Sequence, residues 1–253
     1  MKIFIHIDHS STYIGNGGLV VLTNLANELG KMGYEVYLFD PRDTLSYKML
    51  EWLSLPEKHF KIAGSKEVLK NNSENYRLIT AWLRTLPETF RNESLRYLES
   101  SELIREGHEP EREFLLENNV KVANLHKHLK HYYMSMGFKN LIALEVWIRS
   151  DVRYKGKDFK ETNSIGIQLE SRKDLIARIL SKIGIKLYKW DRYSQFINEN
   201  TIICNGKYKE VIEAMQLADF FIHNPQPSPH IRLFKGETFG LPLFEAMACG
   251  CVC

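Results

Sequence analysis

Apolar residues along the chain fall into short runs of strand length that alternate with stretches repeating every three to four positions. The first run, residues 2–8 (KIFIHID), and a second, 35–40 (EVYLFD), read as buried strands. Between them Leu19, Leu22, Leu25, Ala26, Leu29 and Met32 recur at the spacing of one helical face, and Gly33 is placed to close the helix. A strand, a loop, a helix and a strand open a doubly wound α/β lobe. Residues 76–83 (YRLITAWL), 95–98 with 103–104, and 120–123 extend the strand series, followed by a helical 124–136 and a strand-like 140–148. Residues 43–75 show no dominant period.

From Arg153 to Thr162 the run RYKGKDFKET is charged and nearly free of aliphatic residues, the pattern of a solvated connection. A second alternation follows, with strands at 163–169, 185–190, 200–204 and 219–223 and helices at 172–183, 207–218 and 241–249. A further strand is expected to begin at 251, so the chain stops inside it. The expected architecture is α/β with two Rossmann-like lobes: 1–152, a linker at 153–162, and 163–253, the second lobe incomplete at its C-terminal end.

Composition narrows the function classes. With 253 residues and 44% hydrophobic content, the chain can bury one large core or two moderate ones. A net charge of +3 is too small for nucleic acid to be the main partner. No stretch approaches the roughly 20 apolar residues that span a bilayer, and Met1-Lys2 runs straight into a strand without a signal pattern, so a soluble, cytoplasmic protein is expected. Three of the four cysteines, Cys249, Cys251 and Cys253, crowd the C-terminal end, with Cys204 apart. No paired Cys or His set lies at ligand spacing near them, so they read as reduced, buried thiols and no metal site is assigned.

The most informative block is Gly236 to Gly250, GETFGLPLFEAMACG. The strand at 219–223 leads into a loop holding Pro225, Pro227 and Pro229, and a helix is expected from about Leu241, with Pro242 in its first turn where a missing N–H costs nothing. The tip of such a helix, at the C-terminal edge of a parallel sheet, presents free amides and a positive dipole end suited to a diphosphate. Gly240 lets that anion approach closely. Glu237 and Glu245 are eight positions apart on either side of the tip, and carboxylates accept paired sugar hydroxyls well.

The run ADFFIH (218–223) followed by this block resembles the donor-binding segment of family-four retaining glycosyltransferases, with its Glu, seven residues, Glu signature. The resemblance is close over 200–253 and loose over 1–40 and 120–150. It implies a GT-B fold, a nucleoside-diphosphate sugar as co-substrate, no metal and no other cofactor. It assigns the donor sugar to Glu237, sugar and phosphate to the backbone of Phe239, Gly240 and Leu241, and the nucleotide ribose to Glu245.

Other residues join this picture. Gly17 and Gly18, in the loop GNGG before the first helix, match the family's Gly-Gly near the phosphates and acceptor. A dinucleotide fold is the rival there, but the glycines begin seven residues after the strand, and Val20 stands where its last glycine belongs. Arg172 and Lys173 open a helix where a positive charge opposes the dipole unless an anion is near; the resemblance gives them the leaving diphosphate, although here they are adjacent and the family usually separates them. His108, in ELIREGHEP, is the candidate for the family's histidine beside the anomeric carbon, with His9 a weaker one. The helix at 124–136, with His126, Lys127, His128, Lys130 and His131, reads as a solvated face, with peripheral contact to an anionic membrane as the alternative.

The expected function is retaining transfer of a sugar from a nucleoside-diphosphate sugar to a glycan, lipid or other acceptor. The alternative is a truncated sugar-nucleotide-binding protein without turnover.

Overall fold

The computed structural model describes residues 1–8, 17–71, 76–99, 103, 107–124, 130–144, 148–169, 175–189, 200–204, 207–224 and 241–253. They form two compact units, one of residues 1–51 with 55–146, the other of 52–54 with 147–253.

The first unit is built on β1 (Lys2–His6), β2 (Glu35–Phe39), β3 (Lys61–Ile62), β4 (Tyr76–Thr80), β5 (Leu95–Glu99), β6 (Lys121–Asn124) and β7 (Leu141–Ala143), in the order β3-β2-β1-β4-β5-β6-β7. Every neighbouring pair is parallel. A parallel sheet needs crossovers that cover its faces, so its central strands are mostly apolar. Phe4, Ile5, Leu38 and Phe39 are accordingly buried, with Phe4 stacked on Tyr37 at 5.2 Å and edge-on to Tyr76 at 6.0 Å.

The crossover from β1 to β2 is α1 (Gly17–Lys31), whose Leu19, Val20, Leu22 and Ala26 are buried as the periodicity predicts. Gly33 closes it at φ +89°, and Met32, past the helix end, is exposed. Residues 43–71, where no period was visible, form a 3-10 helix (Lys48–Leu53), two-residue β3 and α2 (Ser65–Lys70). Elements this short complete no apolar repeat. Isolated apolar anchors such as Leu50, Leu53 and Val68 hold them, together with polar contacts such as Asn27 of α1, which donates to Glu57 O at 2.9 Å and accepts from His59 N at 2.9 Å.

The connection from β4 to β5 runs through two 3-10 turns (Leu83–Thr85 and Glu88–Phe90), and the last two crossovers use α3 (Glu109–Glu117) and α4 (Lys130–Ser135). The helix expected at 124–136 is shorter among the described residues, because Asn124 still pairs in the sheet with Glu99 and Ala143. The strand expected at 140–148 is confined to β7 among the described residues.

The second unit contains β8 (Glu161–Leu169), α5 (Leu175–Lys182), β9 (Lys186–Lys189), β10 (Thr201–Ile203), α6 (Tyr208–Leu217), β11 (Ala218–Asn224) and α7 (Leu241–Ala248). Its parallel sheet runs β10-β9-β8-β11, and Val252 forms a parallel bridge to Phe220 where a further strand was expected to start. Ile165 and Leu187 centre its core, with Leu180, Ile185 and Ile222 packed around them.

The charged run 153–162 is more ordered than its composition predicts. It holds a 3-10 turn (Lys157–Phe159), and Glu161 already belongs to β8. Lys160 Nζ donates to the carbonyls of Met215 (3.2 Å) and Ala218 (2.6 Å) at the end of α6, where a cation meets the negative dipole end. Tyr154 lies against Gly250, where an added Cβ would sit 2.5 Å from its ring. Cys204, Cys249 and Cys251 are buried and Cys253 is exposed, all as free thiols.

Candidate functional site

In an open parallel sheet a ligand crevice forms at the carboxyl ends of the two strands where the chain reverses its direction of winding. In the second unit those strands are β8 and β11, which lie side by side with Leu169 opposite Asn224. The connection after β8 carries Arg172 and Lys173, and that after β11 carries Glu237, Phe239 and Gly240. These five residues lie outside the described residues. Both connections nevertheless leave neighbouring strand ends, and the second re-enters the described structure at Leu241, the first residue of α7.

α7 starts where the Pro242 signal places it. Leu241, Glu245, Ala246 and Cys249 are buried, whereas Phe244 and Met247 are exposed. Positions four apart share a helix face, so Glu245 follows Leu241 inward. The acid expected to hold a ribose is thus turned into its own unit, 3% exposed, and accepts a hydrogen bond from the Tyr208 hydroxyl of α6. Burial pushes the Glu245 carboxyl up to about 8, against the opposing Tyr208 bond and Arg149 charge. Burial, then the nearby Glu245, raise the Tyr208 hydroxyl well above its ordinary value.

Tyr208 is in turn fixed from its ring faces. The Arg149 guanidinium lies 4.9 Å from the ring centroid, and the Trp52 ring lies 5.5 Å away. Arg149 donates to Leu53 O (2.6 Å) and Ser54 O (3.2 Å) and grips Asp151 through two bonds of 2.8 and 2.5 Å. A planar guanidinium serves all these acceptors while stacking, which an ammonium cannot do. Neither Tyr208 nor Arg149 was singled out in the sequence. The inward turn of Glu245 was readable from its four-residue spacing to Leu241; its partner was not, because one tyrosine in an amphipathic helix carries no distinguishing mark.

At the equivalent edge of the first unit, where β1 and β4 adjoin, Gly17 and Gly18 form the first turn of α1. His108 immediately precedes α3 and caps it without a side-chain bond; its Nδ1 lies 3.8 Å from Glu111 Oε2, which places the ring beside a structural Arg84–Glu111 pair. His6, at the end of β1, is fully buried, with Nδ1 hydrogen-bonded to Thr80 Oγ1 at 2.8 Å and Nε2 without a partner among the described residues. Burial lowers its pKa to about 4, against the pull of Asp8 and Asp40. Asp40 accepts from Arg42 and Thr44, and Arg42 also reaches Asp8 at 3.0 Å. A hollow of about 150 Å³ beside Asp40 and Asp43 is smaller than pockets that hold ligands the size of a sugar nucleotide. Among the described residues no group of three or more acidic, His or Cys side chains is placed to hold a metal, and no helix is long and apolar enough to cross a membrane.

No protein-family model matches the chain, and no curated protein matches it by sequence. Its fold is similar to the crystal structure of WaaG, a glycosyltransferase involved in lipopolysaccharide biosynthesis, with a TM-score of 0.60 and 14% sequence identity, covering 99% of this chain and 80% of that one. The architecture is therefore that of a GT-B-like glycosyltransferase fold, a seven-stranded parallel sheet and a second parallel sheet.

Proposed function

We propose that the chain is a retaining glycosyltransferase that moves a sugar from a nucleoside-diphosphate sugar to a glycan or lipid acceptor. The observation that carries this reading is the pairing of β8 with β11 at the reversal of strand order, with α7 beginning directly after the loop that leaves β11. The connections that leave these two neighbouring strands hold Arg172 and Lys173 in one case and Glu237 in the other, which supports assigning all three to one sheet edge. The likeness of the fold to WaaG supports the same reaction class.

In the reaction, the bond from the anomeric carbon to the diphosphate breaks and a bond to an acceptor hydroxyl forms on the same face of the sugar. The acceptor proton passes to the departing phosphate oxygen. The main demand is stabilisation of negative charge on that phosphate, which preorganised donors meet well. The amides of Phe239, Gly240 and Leu241 and the cations Arg172 and Lys173 supply them, Glu237 holds the donor sugar, and His108 is assigned to the anomeric carbon. Glu245 takes the ribose hydroxyls, an assignment that requires its carboxyl to leave Tyr208.

Thermal stabilisation by UDP, GDP or ADP tests the nucleotide site, and nucleotide release with candidate acceptors distinguishes turnover from binding alone. Glu245→Ala is expected to weaken nucleotide binding about tenfold, the upper end of a neutral hydrogen bond's net worth. Glu237→Ala is expected mainly to lower turnover. Absence of stabilisation by all three nucleotides overturns the reading.

A further inference from the structure

We propose that Tyr208 is a positioning residue of the donor site that occupies the Glu245 carboxyl in the ligand-free protein and yields it to the hydroxyls of an arriving ribose. The inference rests on the donor-site reading above and adds to it the group that must be displaced. Glu245 is buried and is bonded to Tyr208 from the facing helix. A buried carboxyl without a partner is costly, so the phenol serves the acid while no ligand is present. Tyr208 is itself held by the Arg149 guanidinium and the Trp52 ring, so it offers its hydroxyl from a fixed direction. Among the described residues, the charged and titratable groups that interact with Glu245 are Tyr208 from α6, Arg149 and Asp151 from the segment before β8, and Cys249 just past the end of α7.

An exchange of partners has a signature that a purely structural bond lacks. Removing only the hydroxyl, in Tyr208→Phe, leaves the ring contacts in place and the ligand-free carboxyl unserved. Ribose then satisfies a group that the free protein leaves bare, and binding gains what the free state has lost. The expected result is a lower melting temperature for the ligand-free variant together with roughly tenfold tighter binding of whichever of UDP, GDP or ADP binds the unmodified protein. The matching 2′-deoxynucleotide, which offers the carboxyl less, should gain less than half as much on the free-energy scale.

In the unmodified chain, adding that nucleotide should change tryptophan fluorescence as the Tyr208 hydroxyl beside Trp52 loses its carboxyl partner, and the change should vanish in Trp52→Phe. This second measurement decides the matter if Tyr208→Phe does not fold. Weaker or equal binding by Tyr208→Phe, or a fluorescence change that survives in Trp52→Phe, overturns the exchange. Unaltered affinity in Glu245→Ala instead removes the ribose assignment and the exchange with it, while nucleotide binding itself still supports the donor site.

Discussion

The first unit buries a histidine and keeps it neutral; the second buries a glutamate and keeps its proton on, and the two choices pull stability in opposite directions with pH. His6 titrates at about 4 against an ordinary 6.5, so the unfolded chain takes up a proton first as pH falls. The stability contributed by its neutral ring is present above 6.5 and is lost as pH drops through 4. Glu245 titrates at about 8 against an ordinary 4.5, so the native protein holds a proton that the unfolded chain has released. Its contribution is present below 4.5 and is lost as pH rises through 8. Burial is the leading cause in both, yet His6 sits within an aromatic and aliphatic sheet, beside Phe39 and Trp82, whereas Glu245 ends a chain of polar contacts through Tyr208 to Arg149. Around His6 the first unit relies mainly on ring packing, whereas around Glu245 the second relies on linked polar contacts.

The sharpest way to press that contrast is to cut each unit at its own support. Phe4→Ala, which opens a cavity among Tyr37 and Tyr76, should cost about 3–5 kcal/mol in denaturant unfolding of the first unit. Arg149→Ala, which strips four hydrogen bonds and a ring contact from the second, should cost about 3 kcal/mol, and Arg149→Lys should restore less than half of it. A cost under about 1 kcal/mol for Arg149→Ala would place the second unit's order in packing as well. Next in size, Glu245→Gln cannot titrate, so the decline in stability between pH 4.5 and 8 should flatten in melting curves recorded across that range. The smallest effect at neutral pH is expected from His6→Phe, within about 1 kcal/mol at pH 7, because the ring position stays filled while one hydrogen bond is lost. The same variant should lose part of the destabilisation seen between pH 6.5 and 4.

The fold was legible wherever an element was long enough to show its period. β1, α1 and β2 follow from alternating apolar runs and a helical stripe, and β8, α5, β9, α6, β11 and α7 from the second series. Residues 43–71 were not, since a two-residue strand and a six-residue helix carry no repeat, and their anchors, such as Asn27 on the 57–59 segment, are long-range. At the candidate site, Pro242 and the preceding strand located the start of α7 correctly. A motif names residue types without their directions, and it was helical geometry that turned Glu245 toward α6. Arg149 escaped notice because its acceptors, Leu53 and Ser54, lie 96 and 95 positions away.

That distance bears on how the gene can be divided. Trp52, Leu53 and Ser54 are encoded amid the first unit but belong to the second, so no single cut in the coding sequence yields both pieces whole. A fragment starting at Trp147 would leave Arg149 short of two carbonyl acceptors and Tyr208 without its indole neighbour. Expression of the second unit alone would therefore call for these three residues to be supplied again, as a grafted loop or an added peptide, before its behaviour could stand for that of the intact chain.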